Sequence, residues 1–167
     1  DLVRSRGLGD VYKRQAFSLT RQKVPNLKRA DGFDPKTVLR GAYVLEDAAG
    51  GAPDLVIVAT GSEVALAVGA AKELASAGRK VRVVSAPCLE IFAQQSAAYQ
   101  KEVLPLGVPT VSIEAGRTGP WKEWIGREGL AIGIDTYGAS APDKILAEEY
   151  GLTVAKVTAR IKTHLGT

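Results

Sequence analysis

The chain has 167 residues, with 46% hydrophobic and 24% charged residues, one cysteine and no methionine. That length buries a real core, so global disorder is excluded. A run of the ~20 apolar residues needed to span a bilayer is missing, so no membrane partner is expected, and no charged-then-apolar leader opens the chain.

Cys88 stands alone, which excludes an internal disulfide and any multi-cysteine zinc site. A reducing, cytoplasmic setting fits. The formal net charge of +4 is unevenly spread. Residues 1–40 hold ten Lys and Arg against four Asp, whereas residues 41–167 hold twelve against fourteen acidic residues. The basic excess therefore sits in the N-terminal segment. The body has no basic stripe interleaved with aromatics, so no nucleic-acid partner is expected.

Residues 1–15, DLVRSRGLGDVYKRQ, show neither helical nor strand periodicity. They resemble translated adapter or vector sequence and are read as a non-native or disordered head. Together with the missing methionine, this leads us to expect a piece of a longer reading frame. Residues 16–22 are expected to hold a short strand, AFSLT, whose own sheet is missing. Arg21 ends that strand, where a guanidinium can clamp a phosphate bidentately. Residues 23–40 are polar and turn-prone, with Pro25, Asn26, Gly32 and Pro35, and read as a linker.

From residue 41 strands and helices alternate. Residues 42–46 are strand-like, and 54–60, DLVIVAT, read as a strand buried on both faces. The short DAAGGAP connection predicts that these two form an antiparallel hairpin at a sheet edge. A helix is predicted over 62–77, with a stripe of Val64, Ala67, Val68, Ala71, Leu74 and Ala75. Thr60 and Glu63 have the spacing of a capping box, and Gly78 that of a C-terminal stop. Strands are predicted at 80–85, 109–114 and 130–135, and a short helix at 96–104. A helical turn at 120–126 would put Trp121 and Trp124 on one face, for core or subunit packing. Ser140 and Asp143 suggest a second capping box with Pro142 in the first turn. That helix would run to Tyr150 and stop at Gly151. A last helix, capped by Thr153, would bury Val154, Val157, Ile161 and Leu165. Such alternation predicts an α/β fold, three-layer and doubly wound, with about five strands, mostly parallel and one antiparallel at the edge.

Thr60, Gly61 and Ser62 lie where a strand ends and a helix begins, so their N–H groups could hold an anion. The turn lacks Gly-x-Gly-x-x-Gly and the phosphate-loop lysine, and a plain helix start explains it as well. Cys88 follows a strand and could be a nucleophile, and His164, the one histidine, falls in the last helix turn. Nothing in the sequence brings them together, and a small apolar packer and a helix-end imidazole explain them as well. The carboxylates Glu63, Glu90, Glu114 and Asp135 are placed near strand ends, unpaired at any telling spacing. With one histidine in the chain, a histidine-rich metal site is excluded.

Five stretches resemble the C-terminal part of the transketolase family. They are SLTRQKVPNL (18–27), GAYVLEDA (41–48), DLVIVATGSEVALAVGAAKELASAGRKVRVVSAP (54–87), YQKEVLP (99–105) and TYGASAP (136–142). The resemblance implies that residues 41–167 are that family's C-terminal α/β domain, after the last strand of a middle domain. It implies a cytoplasmic, homodimeric parent transferase of the pentose phosphate pathway. That enzyme moves a two-carbon ketol unit between sugar phosphates with thiamine diphosphate and a divalent metal, Mg or Ca. Arg21, in TRQ where the family has SRQ, would then bind the sugar phosphate. No catalytic residue is implied within this chain, which is expected to be inactive alone. Two other readings stay open. One is a free-standing α/β module that binds an anion or a partner at Thr60–Glu63. The other is the C-terminal part of another thiamine enzyme, a deoxyxylulose-phosphate synthase or a 2-oxoacid dehydrogenase β-subunit. An apolar face left bare by missing domains would make the chain self-associate.

Overall fold

A computed structural model of the chain describes residues 23–30 and 32–167. The expected head at 1–15, the strand at 16–20 and Arg21 lie outside the described residues.

Strand β2 (Leu55–Ala59) is buried at every position, as its unbroken apolar run requires. It pairs in parallel with β3 (Val81–Ser85) on one side and β4 (Thr110–Ile113) on the other. Strand β5 (Leu130–Ile132) extends the sheet in parallel beyond β4. Strand β1 (Tyr43–Glu46) forms the antiparallel edge, so the order is β1-β3-β2-β4-β5. The antiparallel edge is as expected, but the hairpin is not. β1 pairs with β3, and β3 separates it from β2. Two strand spacings are only about 10 Å, which the connection after Glu46 crosses easily. β2, apolar on both faces, takes the centre. β1, half-buried on alternate residues, takes the edge, where a bulge between Val44 and Glu46 breaks its register.

Helices cover both faces. On one side α1 (Val64–Ser76) and α6 (Val154–Leu165) pack on Leu55, Ile57, Val83, Val111 and Ile113. Gly69 lets them approach, because a Cβ there would lie 2.7 Å from Val154. The other side carries α2 (Leu89–Ala93), α3 (Ala97–Val103) and α4 (Lys122–Ile125). Phe92, Tyr99, Val103, Trp121 and Ile125 fill its core against Val56, Val58 and Val84. Helix α5 (Asp143–Glu149) buries no residue completely. Helix α2 has no expected counterpart: five residues are too few to show a helical period.

The stops were better marked than the starts. Gly78, at φ +88°, closes α1 with Arg79 N–H donating to the Leu74 carbonyl and Gly78 N–H to that of Ala75. Gly151, at φ +72°, follows α5 as expected. None of the three expected side-chain caps forms. A 3-10 turn, Gly61–Glu63, precedes α1, and Thr60 makes no side-chain cap bond. Glu63 instead accepts the Ser62 hydroxyl at 2.7 Å. At α5 the capping position is Pro142 itself, so Ser140 lies two residues too early. Thr153 occupies the α6 cap position without a side-chain bond. On α1, Ala70 is buried and Ala75 exposed, the reverse of the expected stripe edge.

The linker is only partly irregular. Pro35–Arg40 forms a 3-10 helix, with Asp34 accepting from the Lys36 N–H at 3.0 Å. Leu27 and Phe33 pack against the α1-side core, so this segment is strapped to the sheet.

A bidentate pair pins the end of β1 to β3. Arg82 Nε donates to Asp47 Oδ1 at 2.8 Å, and its Nη2 donates to Oδ2 at 3.0 Å. Burial pushes the Asp47 carboxyl up. The Arg82 hydrogen bonds, the Ala48 N–H and the Arg82 charge outweigh it and hold the carboxyl below its usual value. A lowered folded pKa gives stability that is present above the unfolded pKa, about 3.9, and lost as pH falls through the folded value. Asp47 is 56% exposed on its side chain, so solvent screening limits the effect to about 1 kcal/mol. Asp47→Asn should therefore lower the unfolding free energy at pH 7. Its deficit should vanish near pH 2. Urea titrations of both proteins across that range would show the two curves merging, and a constant gap would rule out the carboxylate as the source.

Candidate functional site

In an open parallel sheet, ligands bind beyond the carboxyl ends of the strands, where the strand order reverses. Here the chain leaves β2 toward β3 on one side and returns to β4 on the other. Ala59, Ser85, Ile113 and Ile132 mark those carboxyl ends, and two clefts open beside β2.

The wider one, about 510 Å³, lies over the reversal point between β2 and β4. Leu66, Ile134, Leu146, Tyr150 and Leu152 make its walls apolar, and Glu63, Asp143 and Lys144 supply its charge. Tyr137, 99% exposed, and Ile145 stand beside it. The second cleft, about 340 Å³, lies between the ends of β2 and β3 and the strapped linker. Gly61 and Ser62 form one wall, Ser85 another, and Arg29 reaches in from the linker. Gly61 sits at φ +56°, with open space where a Cβ would be. Thr60 precedes this wall in extended conformation.

The other expected residues do not converge. Cys88 follows β3 at the carboxyl end, where its thiol donates to Glu90 at 3.4 Å. His164 is on the last turn of α6, and its Nε2 donates to the Glu128 carbonyl at 3.0 Å. It lines a cleft with Pro109 and Gly129, at the amino ends of β4 and β5. Thiol and imidazole thus belong to opposite ends of the sheet. Glu114 accepts the Trp121 indole N–H at 2.6 Å. Asp135 accepts both the backbone N–H and the hydroxyl of Thr118, at 3.0 and 2.7 Å. Those two bonds hold its carboxyl below the usual carboxylate range. Asp135 therefore ties the loops after β4 and β5 together, and Glu114 pins Trp121 within the loop after β4. Trp121 is buried, and Trp124 packs on Phe92 with ring centroids 4.9 Å apart, so both tryptophans serve the core. Among the described residues, no three His, Cys, Asp or Glu side chains come together as metal ligands. No helix is long and apolar enough to cross a membrane among them.

Arg29 and Ser85 are the cleft residues that sequence reasoning missed. Arg29 sits in a turn-prone linker with no motif around it. Ser85 reads as the last residue of an apolar strand. Only the fold makes them neighbours of Gly61.

These features define an open α/β domain of the doubly wound type. It offers binding clefts at its carboxyl edge and no assembled nucleophile–base pair among the described residues. Residues 41–153 match the family described as Transketolase-like TK C-terminal domain, and the chain belongs to that family. It is 47% identical over 147 residues to the plasmid-encoded transketolase of Cupriavidus necator, covering 88% of this chain and 22% of that protein. A transketolase from Pichia stipitis in complex with sedoheptulose 7-phosphate superposes with TM-score 0.76 at 34% identity. That match covers 87% of this chain and 20% of the other. A structure titled as a split gene transketolase, inactive β4 tetramer, gives TM-score 0.66 at 27% identity, over 87% of this chain and 48% of that one. The chain thus spans about a fifth of the length of the curated relatives it matches.

Proposed function

We propose that this chain is the C-terminal part of a transketolase. Its parent would transfer a two-carbon ketol unit between ketose and aldose phosphates, as a cytoplasmic homodimer in the pentose phosphate pathway. The observation that carries this reading is the family match over 41–153, laid on the same five-stranded sheet. Residues 41–167 would be the C-terminal domain, and 16–22 the end of a middle domain.

Thiamine diphosphate and a divalent metal would supply the carbanion chemistry in the parent. The described residues do not fit either group: no acidic or imidazole cluster converges, and the clefts lack a ring of oxygen donors for a hard cation. No reaction step is therefore assigned to them. Arg21 is the residue proposed to meet substrate, as a bidentate clamp on the sugar phosphate. The Pichia stipitis complex supports the substrate class. The split-gene neighbour supports two further points: the chain alone is inactive, and it associates with itself. Exposed Tyr137, Ile145, Leu106 and Leu39 are consistent with that association.

The chain alone, with cofactor and magnesium, should show no ketol transfer from xylulose 5-phosphate. It should sediment above its monomer mass of 17.6 kDa. Residues 16–167 spliced onto the preceding domains of the Cupriavidus necator enzyme should restore turnover. In that chimera Arg21→Gln should raise KM for the sugar phosphates by about 10–100-fold, with a smaller change in kcat. Turnover by the isolated chain, or a folded dimeric chimera without activity, would overturn the assignment.

A further inference from the structure

The geometry points to a phosphate-binding site in the cleft between Arg29, the Gly61–Ser62 turn and Ser85. It goes beyond the ketol-transfer reading and does not depend on it.

The residues come together by elementary rules. On β3, Val81 and Val83 face α1, so by strand alternation Ser85 faces it too. This places the Ser85 hydroxyl beneath the start of α1, beside Ala59 and Tyr43, its register partners. Ser85 is only 9% exposed, lines the cleft, and has no hydrogen-bond partner among the described residues. A hydroxyl that opens on a cleft without a protein partner is free to donate to an acceptor placed there. The hydroxyls of Ser112 and Thr158 are sealed in the core without a partner; that of Ser85 instead opens on a cleft.

The remaining donors surround that space. Gly61 and Ser62 are the first residues of a helical turn, so their N–H groups have no helical acceptor. The 13-residue α1 follows at once, with the positive end of its dipole on the same side. Arg29 supplies the charge. Its Nη1 donates to the Leu27 carbonyl at 3.0 Å and its Nη2 to the Tyr43 hydroxyl at 3.3 Å. Its guanidinium carbon lies 5.6 Å from the Phe33 ring centre and 6.0 Å from that of Tyr43. Among the described residues, three of its five N–H donors stay uncommitted and no carboxylate pairs with them.

One carboxylate stands nearby. Glu63 accepts the Ser62 hydroxyl and lines the neighbouring, wider cleft. The Ser62 hydroxyl is therefore spent, and its backbone N–H is the donor left for a ligand. Two N–H groups, a hydroxyl and a guanidinium from separate directions suit a tetrahedral group with three acceptor oxygens better than a planar carboxylate. At about 340 Å³ the cleft has room for a phosphate monoester of a small metabolite as well as free phosphate.

The test is thermal protection of the full chain by inorganic phosphate, against potassium chloride at equal ionic strength. Ribose 5-phosphate in a parallel arm distinguishes a monoester from the free ion. Phosphate in either form should raise Tm in a saturable way. Arg29→Gln should weaken the apparent affinity by about 10-fold or more, and Ser85→Ala by about 5-fold. Ser85→Ala changes a single atom, so it keeps the test open should Arg29→Gln fold poorly. Saturable protection that both variants weaken supports the site. Protection equal to chloride, or protection that Ser85→Ala leaves untouched, overturns it.

Discussion

Replacing Gly41 by alanine is expected to cost about 3–5 kcal/mol of folding free energy, a large share of the ~5–15 kcal/mol typical of a domain. Gly41 ends the 3-10 helix at φ +87° and leads straight into β1. Two penalties coincide there. An L-residue in left-handed conformation costs about 1–2 kcal/mol. A Cβ would also overlap the Cys88 carbonyl oxygen and the Phe92 amide nitrogen. Both are backbone atoms at the start of α2, and both are committed. The Cys88 carbonyl accepts the Phe92 N–H at 3.1 Å, and the Gly41 carbonyl accepts the Cys88 N–H at 3.0 Å. Relief would have to move α2 away from the sheet, and Phe92 with it, out of the core it shares with Tyr99 and Trp124. Gly78→Ala is the matched control: its φ is +88°, but a Cβ there meets nothing within 4 Å. It should cost only about 1–2 kcal/mol. Urea unfolding of the two variants measures the difference. Equal losses would show that α2 does not press on residue 41.

The same contact shows what the sequence could convey. Periodicity and apolar runs depend on a residue's own segment, so β2, β3, β4 and the α1 stripe were legible. Gly78 and Gly151 were legible because a left-handed stop is a local demand. Pairing is not local. The eight residues 47–54 suit a hairpin as well as a step over β3, and the choice rests on which strand can be buried on both faces. Side-chain caps failed for a related reason. Thr60-x-x-Glu63 has the correct spacing, but the helix enters through a 3-10 turn and Ser62 takes the carboxylate. At the site, strand-end carboxylates were found where α/β folds put ligands, yet Asp135 is bound to the neighbouring loop and Glu114 to Trp121 of its own. Arg29 and Ser85 are 56 residues apart in sequence, and no spacing rule could have joined them.

Trp121→Ala is expected to be the other severe substitution, at about 3–5 kcal/mol. Trp121 is 2% exposed and among the largest side chains sealed in the core. It sits at the end of the Gly119–Trp121 3-10 turn, where α4 begins, and fills the layer beneath α3 and α4 with Ile125 and Val103. Truncation removes that apolar volume and leaves a cavity that the rigid strands β2 and β4 cannot collapse to fill. A second loss is separable from the first. The indole N–H donates to Glu114 at 2.6 Å, and a bond to a charged acceptor contributes about 1.5–3 kcal/mol. Trp121→Phe keeps most of the volume and loses the bond; Glu114→Ala loses the bond and keeps the ring. The double variant should therefore be less damaging than the sum of the two, by about the value of the bond. Glu114 directly follows β4, so the bond also fixes the floor of the carboxyl-edge loops near Gly116, whose carbonyl accepts the Ile134 N–H at 2.8 Å. Phosphate protection should survive in Trp121→Phe, because the cleft between β2 and β3 does not use that loop. Strict additivity in the double-mutant cycle would mean that the indole and Glu114 do not interact. The whole cost of Trp121→Ala would then be packing.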